Sequence, residues 1–185
     1  MDAVTTFDMN ILHWIHENLS CGFLDIIMPA VTAFGEYGLL WIAAAAVMLF
    51  FRKYRVTSAA IAGALLGCLV VGNIALKHIV ARSRPCWLET DFPMLIAIPR
   101  DFSFPSGHTT TSFAAAVVIF HYNKRLGIPA LIIAALIAFS RLYLFVHFPT
   151  DVLAGAAIGC AIGIAAFVIA DRIAGRIRNK RAQKQ

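Results

Sequence analysis

The chain has 185 residues, 60% of them hydrophobic and only 14% charged, with a mean hydropathy of +0.77; a soluble domain needs far less apolar surface. The formal net charge of +6 does not point to nucleic acid. Arg172, Arg176, Arg178, Lys180, Arg181 and Lys184 follow directly on an apolar run, as in a juxtamembrane anchor facing anionic headgroups.

In chain order, Met1 to Ser20 holds no Lys or Arg and so lacks the positive start of a secretory signal. Asn10 to Leu19 reads as a short amphipathic helix, with Ile11, Leu12, Trp14, Ile15 and Leu19 set against His13, His16 and Glu17. It is too short to span and is expected to lie in the membrane interface. Apolar spans follow at Phe23–Phe34, Gly38–Phe51, Val56–Ile79, Thr109–His121, Ile128–Val146 and Val152–Ile173, the first two separated by a Gly35-Glu36-Tyr37-Gly38 turn. The expected fold is an all-α integral membrane bundle of about six transmembrane helices behind a short N-terminal interfacial helix. It forms one membrane-embedded domain over residues 1–185, with a basic cytoplasmic tail at 172–185.

Cys21, Cys68, Cys86 and Cys160 include no CxxC pair, and Cys68 and Cys160 sit inside apolar runs, which argues against a disulfide scaffold or a zinc site. Cys86, after Pro85 in a polar loop, is expected to face solvent. Glycines recur at four-residue spacing, Gly155, Gly159 and Gly163 in the last span and Gly63 and Gly67 in the third. That spacing favours close packing within the bundle over a homodimer seam; the sequence does not give the oligomeric state.

With both termini on one side, that side also carries the loops at Arg52, Lys53 and Arg55 and at Lys124 and Arg125. Together with the tail these are eleven of the sixteen basic residues. The positive-inside rule then makes the termini cytoplasmic. The remaining five, Lys77, Arg82, Arg84, Arg100 and Arg141, break the trend and cluster in or beside three polar stretches.

The first stretch runs from Lys77 to Arg84-Pro85. On a continuous helix the two cations share a face two turns apart, although Pro85 disfavours helix at Arg84. Two cations this close repel unless an anion lies between them. Headgroup snorkelling explains either one alone better than it explains the pair. The second stretch is Phe104-Pro105-Ser106-Gly107-His108, where Ser106 is placed as an N-cap and Gly107 admits a ligand close to the backbone. The free N–H groups and dipole of a helix start make an anion site. An anion there favours a protonated His108 able to give up its proton. An ordinary cap with an interfacial histidine is the duller reading.

The third stretch is Ser140-Arg141, His147 and Asp151. Pro149 suits the first turn of the last span and so places Asp151 in that turn. A carboxylate close to an imidazole fixes its tautomer and raises its basicity, while Arg141 is able to bind phosphate oxygens bidentately. A buried polar pair joining two helix ends is the plainer alternative. A metal reading ranks below phosphate because Lys77, Arg84 and Arg141 would repel a divalent cation. Arg82 is read as contacting a second phosphate or the headgroups, and His78 as structural. Met94 to Ile98 either dips into the interface or packs over helix ends, and Asp25 and Glu36 are interfacial.

These stretches, in this order, resemble the type 2 phosphatidic acid phosphatase family, and Lys77, Arg84, Pro85, Pro105, Ser106, Gly107, His108, Ser140, Arg141, His147 and Asp151 all match its signature. The resemblance implies a metal-independent lipid phosphatase with no cofactor. In it His147 attacks phosphorus to form a phosphohistidine, Asp151 orients His147 and His108 protonates the leaving oxygen. Lys77, Arg84, Ser106, Gly107 and Arg141 bind the phosphoryl oxygens, as fixed cations in place of Mg²⁺. The implied partners are membrane lipids and a lipid phosphate or diphosphate, with undecaprenyl diphosphate first and phosphatidic acid or phosphatidylglycerophosphate as the alternative. Localisation is expected in the cell membrane, multi-pass, with the site on the outer face. A non-catalytic lipid-phosphate carrier is the rival of another class; it would need the cations but neither histidine.

Overall fold

The computed structural model describes residues 2–183; Lys184 and Gln185 of the basic tail lie outside the described residues. Every regular element among the described residues is helical. The helices are α1 (Ala3–Leu19), α2 (Gly22–Phe34), α3 (Leu39–Phe50), α4 (Arg55–Cys68), α5 (Lys77–Val80), α6 (Pro85–Leu88), α7 (Gly107–Tyr122), α8 (Lys124–Tyr143) and α9 (Pro149–Ala182). A π-helical stretch, Leu69–Leu76, joins α4 to α5.

The bundle is built around α7, whose Ala114, Ala115, Ala116, Val118 and Ile119 are all buried. A helix apolar on every side belongs inside others, and α4, α8 and α9 enclose it. Small residues set the spacing. A Cβ on Gly159 would lie 2.4 Å from the Thr110 carbonyl oxygen, one on Gly163 2.6 Å from that of Ala114, and one on Gly127 2.1 Å from Phe120 Cα. The four-residue glycine spacing in α9 is thus consumed by packing on α7. Gly67 meets Ile162 in the same way, whereas Gly63 faces open space.

Four elements are long and apolar enough to cross a bilayer: Arg52–Leu88, Lys124–Tyr143, Pro149–Lys180, and α2 with α3 taken as one pair bent by 43°. Against the six spans expected from the sequence, three helices among the described residues pass by length and composition, or four with the bent pair taken as one span. The Gly35–Gly38 segment does not reverse the chain; it only kinks it, through left-handed backbone at Tyr37 (φ 50°) and Gly38 (φ 69°). A bend of 43° keeps α2 and α3 running broadly the same way. The enclosed α7 has 16 residues, about 24 Å at 1.5 Å per residue, shorter than a hydrocarbon core of about 30 Å.

A second correction concerns the amino terminus. The interfacial helix is longer than expected because Asp2 caps it, its carboxylate accepting from Thr5 N at 2.7 Å. It rests on the end of the bundle where α5 stops and α9 starts, with Met9, Leu12 and Ile15 packed among Cys86, Phe145 and Phe148. The far end of α9 lies at the opposite pole, where Asp171 accepts from Tyr122 at the end of α7. Helix α1 and the far end of α9, the first and last helices among the described residues, therefore sit at opposite poles of the bundle. Cys86 is buried in the same cluster rather than solvent-facing.

Candidate active site

All three polar stretches converge at the α1 pole. After α5 the chain turns through Ala81 in left-handed backbone (φ 47°), so Lys77 and Arg84 do not share a continuous helix face. Arg84 is extended (φ −87°, ψ 154°), as Pro85 demands. The two cations meet instead at Asp101, whose carboxylate accepts from Lys77 Nζ through one oxygen and from Arg84 Nη2 at 2.8 Å through the other. An anion does lie between them, and it belongs to the protein. Burial opposes its ionisation, but Lys77 and Arg84 outweigh that and hold its pKa at about 2.

Lys77, Arg84 and Arg141 are 8%, 2% and 4% exposed. Buried cations this close need anions. Arg141 donates to Thr32 on α2, and its Nε is buried with no partner among the described residues. A buried guanidinium N–H in a cationic pocket is suited to donate to an anionic oxygen. Ser106 occupies the cap position of α7, yet its hydroxyl does not cap. It accepts instead from the Thr109 hydroxyl at 2.9 Å, which leaves the first N–H groups of α7 without a side-chain cap. At Gly107 a Cβ would lie 3.1 Å from Asn73 Oδ1. The ring of His108 packs where the α2–α3 pair bends, with Cδ2 2.8 Å from where a Cβ on Gly35 would stand.

His147 lies between α8 and α9 and is 1% exposed. Its Nε2 faces Arg84 Nη1 at 3.1 Å. Its Nδ1 faces Asp151 Oδ2 at 3.7 Å, too far for a direct hydrogen bond. The hydroxyl of Ser103 fills the gap, 3.3 Å from Nδ1 and 2.5 Å from Asp151 Oδ2. One hydroxyl proton goes to the carboxylate, so Ser103 accepts from Nδ1–H and leaves the Nε2 lone pair toward the cations. Burial, with Arg84, Arg141 and Lys77 nearby, pushes the His147 pKa well below the ordinary range. Both influences favour the neutral ring.

The three polar stretches from Lys77 to Asp151 thus meet at this pole. Arg82 is not free for a headgroup or a second phosphate: it donates to Asp151 and to Asp8, both at 2.7 Å. Asp25 binds the Tyr143 hydroxyl at 2.6 Å, and His78 Nδ1 lies 3.0 Å from the Ile74 carbonyl oxygen in its own helix. In the loop after Phe92, Met94 and Ile96 pack inward while Leu95 and Ile98 stay exposed. Sequence reading passed over Asp101, Ser103, Thr32 and Asp8. Only Asp101 carried a signal, as the single acidic residue between Phe92 and Thr150.

A family model described as the PAP2 superfamily matches residues 39–174. The chain belongs to the PAP2 superfamily. The matched segment contains every motif position from Lys77 to Asp151, and it leaves α1 and α2 outside. An undecaprenyl-diphosphatase of Sulfolobus acidocaldarius is 30% identical over 83% of this chain and 73% of its own. A decaprenylphosphoryl-5-phosphoribose phosphatase of Mycolicibacterium smegmatis is 36% identical over 68% of each. Among solved structures, a transmembrane PAP2-type phosphatidylglycerolphosphate phosphatase from Bacillus subtilis superposes with a TM-score of 0.76 at 27% identity, covering 94% of this chain and 89% of that one. In this PAP2 chain no group of three or more His, Cys, Asp or Glu among the described residues is placed to hold a metal ion. Lys77, Arg84 and Arg141 are the buried cations at this pole.

Proposed function

We propose that this membrane-embedded lipid phosphatase removes the terminal phosphate of a polyprenyl diphosphate, undecaprenyl diphosphate foremost, through a phosphohistidine on His147. The observation that carries the reading is the two-sided setting of His147: Nε2 toward the cations, Nδ1 relayed through Ser103 to Asp151. In the first step Nε2 bonds to phosphorus as the bond to the bridging oxygen breaks. His108, charged by the phosphate that now lies between it and the cations, gives the departing oxygen its proton while Lys77, Arg84, Arg141 and the amides at Gly107 hold the equatorial oxygens. In the second step water attacks the phosphohistidine, His108 takes the water proton, and inorganic phosphate leaves. A carrier that only bound the phosphate would need no relay behind the imidazole.

The basic loops at Arg52–Arg55 and Lys124–Arg125 meet through Tyr54 and Asn123, and Asp171, just before Arg172 on α9, meets Tyr122, all away from the site, while α1 carries no Lys or Arg. The positive-inside rule therefore sets the site away from the cytoplasm, where a spent carrier diphosphate would be met. The test is phosphate release by purified protein, with chelator present, from undecaprenyl diphosphate, phosphatidic acid and phosphatidylglycerophosphate. Fastest release from the prenyl diphosphate is expected. Faster release from a glycerolipid would reassign the substrate, and binding without release would make the protein a carrier.

A further inference from the structure

Asp8 lies on α1, outside the matched family segment, yet its carboxylate is wholly buried (0% exposed) and is built into the site. Oδ2 accepts from Arg82 Nη2 at 2.7 Å and from the Thr150 hydroxyl, and Oδ1 accepts from Thr150 N at 3.2 Å. The other end of the same guanidinium donates from Nη1 to Asp151 Oδ1 at 2.7 Å and to the Thr150 hydroxyl at 2.7 Å. Its carbon sits 4.0 Å over the Phe148 ring. Asp151 Oδ2 is held by Ser103 and by Phe148 N at 3.1 Å. Arg82 is therefore the charged donor that fixes the remaining oxygen of Asp151.

Charge makes this arrangement more than a staple. A guanidinium paired with Asp151 alone would cancel the charge that His147 relies on. Sharing Arg82 with a second buried carboxylate leaves the trio with a net charge of one negative unit beside the imidazole. We propose that Asp8 is a positioning residue for the phosphatase reaction. It acts through Arg82, so that α1 completes the orienting group behind His147. The inference rests on His147 being the nucleophile.

The test measures kcat and KM for a lipid phosphate with the full chain in detergent. Asp8→Asn keeps the shape and removes the charge. It is expected to lower kcat about tenfold while KM stays within about twofold, because Lys77, Arg84 and Arg141 are untouched. Arg82→Gln is expected to lose more, and adding Asp8→Asn to it is expected to cost nothing further, since the path from Asp8 is already cut. If Asp8 only staples α1, Asp8→Asn lowers thermal stability, leaves kcat unchanged and acts independently of Arg82; either unchanged kcat or full additivity overturns the proposal. Should Asp8→Asn fail to fold, Thr150→Val removes the hydroxyl shared by Asp8 and Arg82 without removing charge. A severalfold lower kcat at constant KM then supports the link, and an unchanged kcat refutes it. His147→Ala in the same assay separates the two readings: turnover there would sink the nucleophile assignment itself, whereas a dead His147→Ala beside a normal Asp8→Asn sinks this inference alone.

Discussion

Asp101 and Arg84 are joined twice, Arg84 Nη2 to the carboxylate at 2.8 Å and Arg84 Nε to the Asp101 carbonyl at 2.6 Å, while Lys77 binds the other carboxylate oxygen. An open cleft of about 570 Å³ is lined by α1 and residues 88–93, and one of about 180 Å³ by His16, Asp25, Phe92, Leu95 and Tyr143 among others; neither is lined by a motif residue. A phosphate thus arrives at cations already holding an anion. The Asp101 carboxylate is half-exposed on a loop, so it is the group able to leave. Asp101→Asn is expected to tighten vanadate inhibition about tenfold and, since two buried cations lose their partner, to lower thermal stability. Unchanged inhibition would show that the phosphate binds elsewhere.

Removing the relay behind His147 should have graded effects. His147→Ala is expected to lose turnover by about a thousandfold or more, whereas Ser103→Ala, which leaves Asp151 in place, is expected to lose about tenfold. Ser103→Ala with wild-type kcat would mean that Asp151 reaches the imidazole directly.

The buried neutral imidazole has a consequence for stability. Its folded pKa lies below the unfolded value of about 6.5. The unfolded chain therefore binds the proton first, and the stabilisation is complete above about pH 6.5 and lost as pH falls beneath it. Facing the ring are Arg84, Arg141, Lys77 and His108, with Asp151 opposing them. Below pH 6.5 the stability of the wild type should fall more steeply than that of His147→Gln, by up to about 1.4 kcal/mol per pH unit. Parallel slopes would mean that the imidazole is charged in the folded protein.

The seam between α7 and α9 can be tested against a matched control. Gly159→Ala sets a methyl 2.4 Å from the Thr110 carbonyl and is expected to destabilise by about 1–3 kcal/mol. Gly63→Ala, in open space on α4, is expected to be neutral or to stabilise by up to about 1 kcal/mol. Equal effects would dissolve the seam.

Orientation is checked by single cysteines in a variant without native ones, labelled in intact cells by an impermeant thiol reagent. Glu17→Cys on α1 and Thr90→Cys near the site are expected to label, and Gln183→Cys is not. Labelling of Gln183→Cys alone would invert the topology, and protection of Glu17→Cys alone would detach α1 from the site pole.

The catalytic stretches were legible in the sequence because each is local: the spacing Lys77 to Arg84, Ser106 to His108 and Arg141 to Asp151 survives whatever the helices do between them. The path of the chain was less so. A glycine pair around Glu36-Tyr37 reads equally as a reversal or a kink, and only the neighbours that pin it, His108 and Ile137 against Gly35, decide for the kink. Asp8 was illegible for a different reason. One acid among Phe7, Met9 and Leu12 looks like a flaw in an apolar face until Arg82, far along the chain, supplies its partner.

The contact of α7 with α9, backbone against glycine, also partitions the molecule by what change it can absorb. Ser106 and His108 open one of these helices and Asp151 the other, so their separation is set where even a methyl does not fit. New lipid preferences have little room to arise there. The outer side of α1 at His13, His16 and Glu17 and the segment from residue 88 to 95 meet the open clefts and carry none of the site's hydrogen bonds, so they are the parts free to diversify, and a shift from one lipid tail or headgroup to another is expected at the rim.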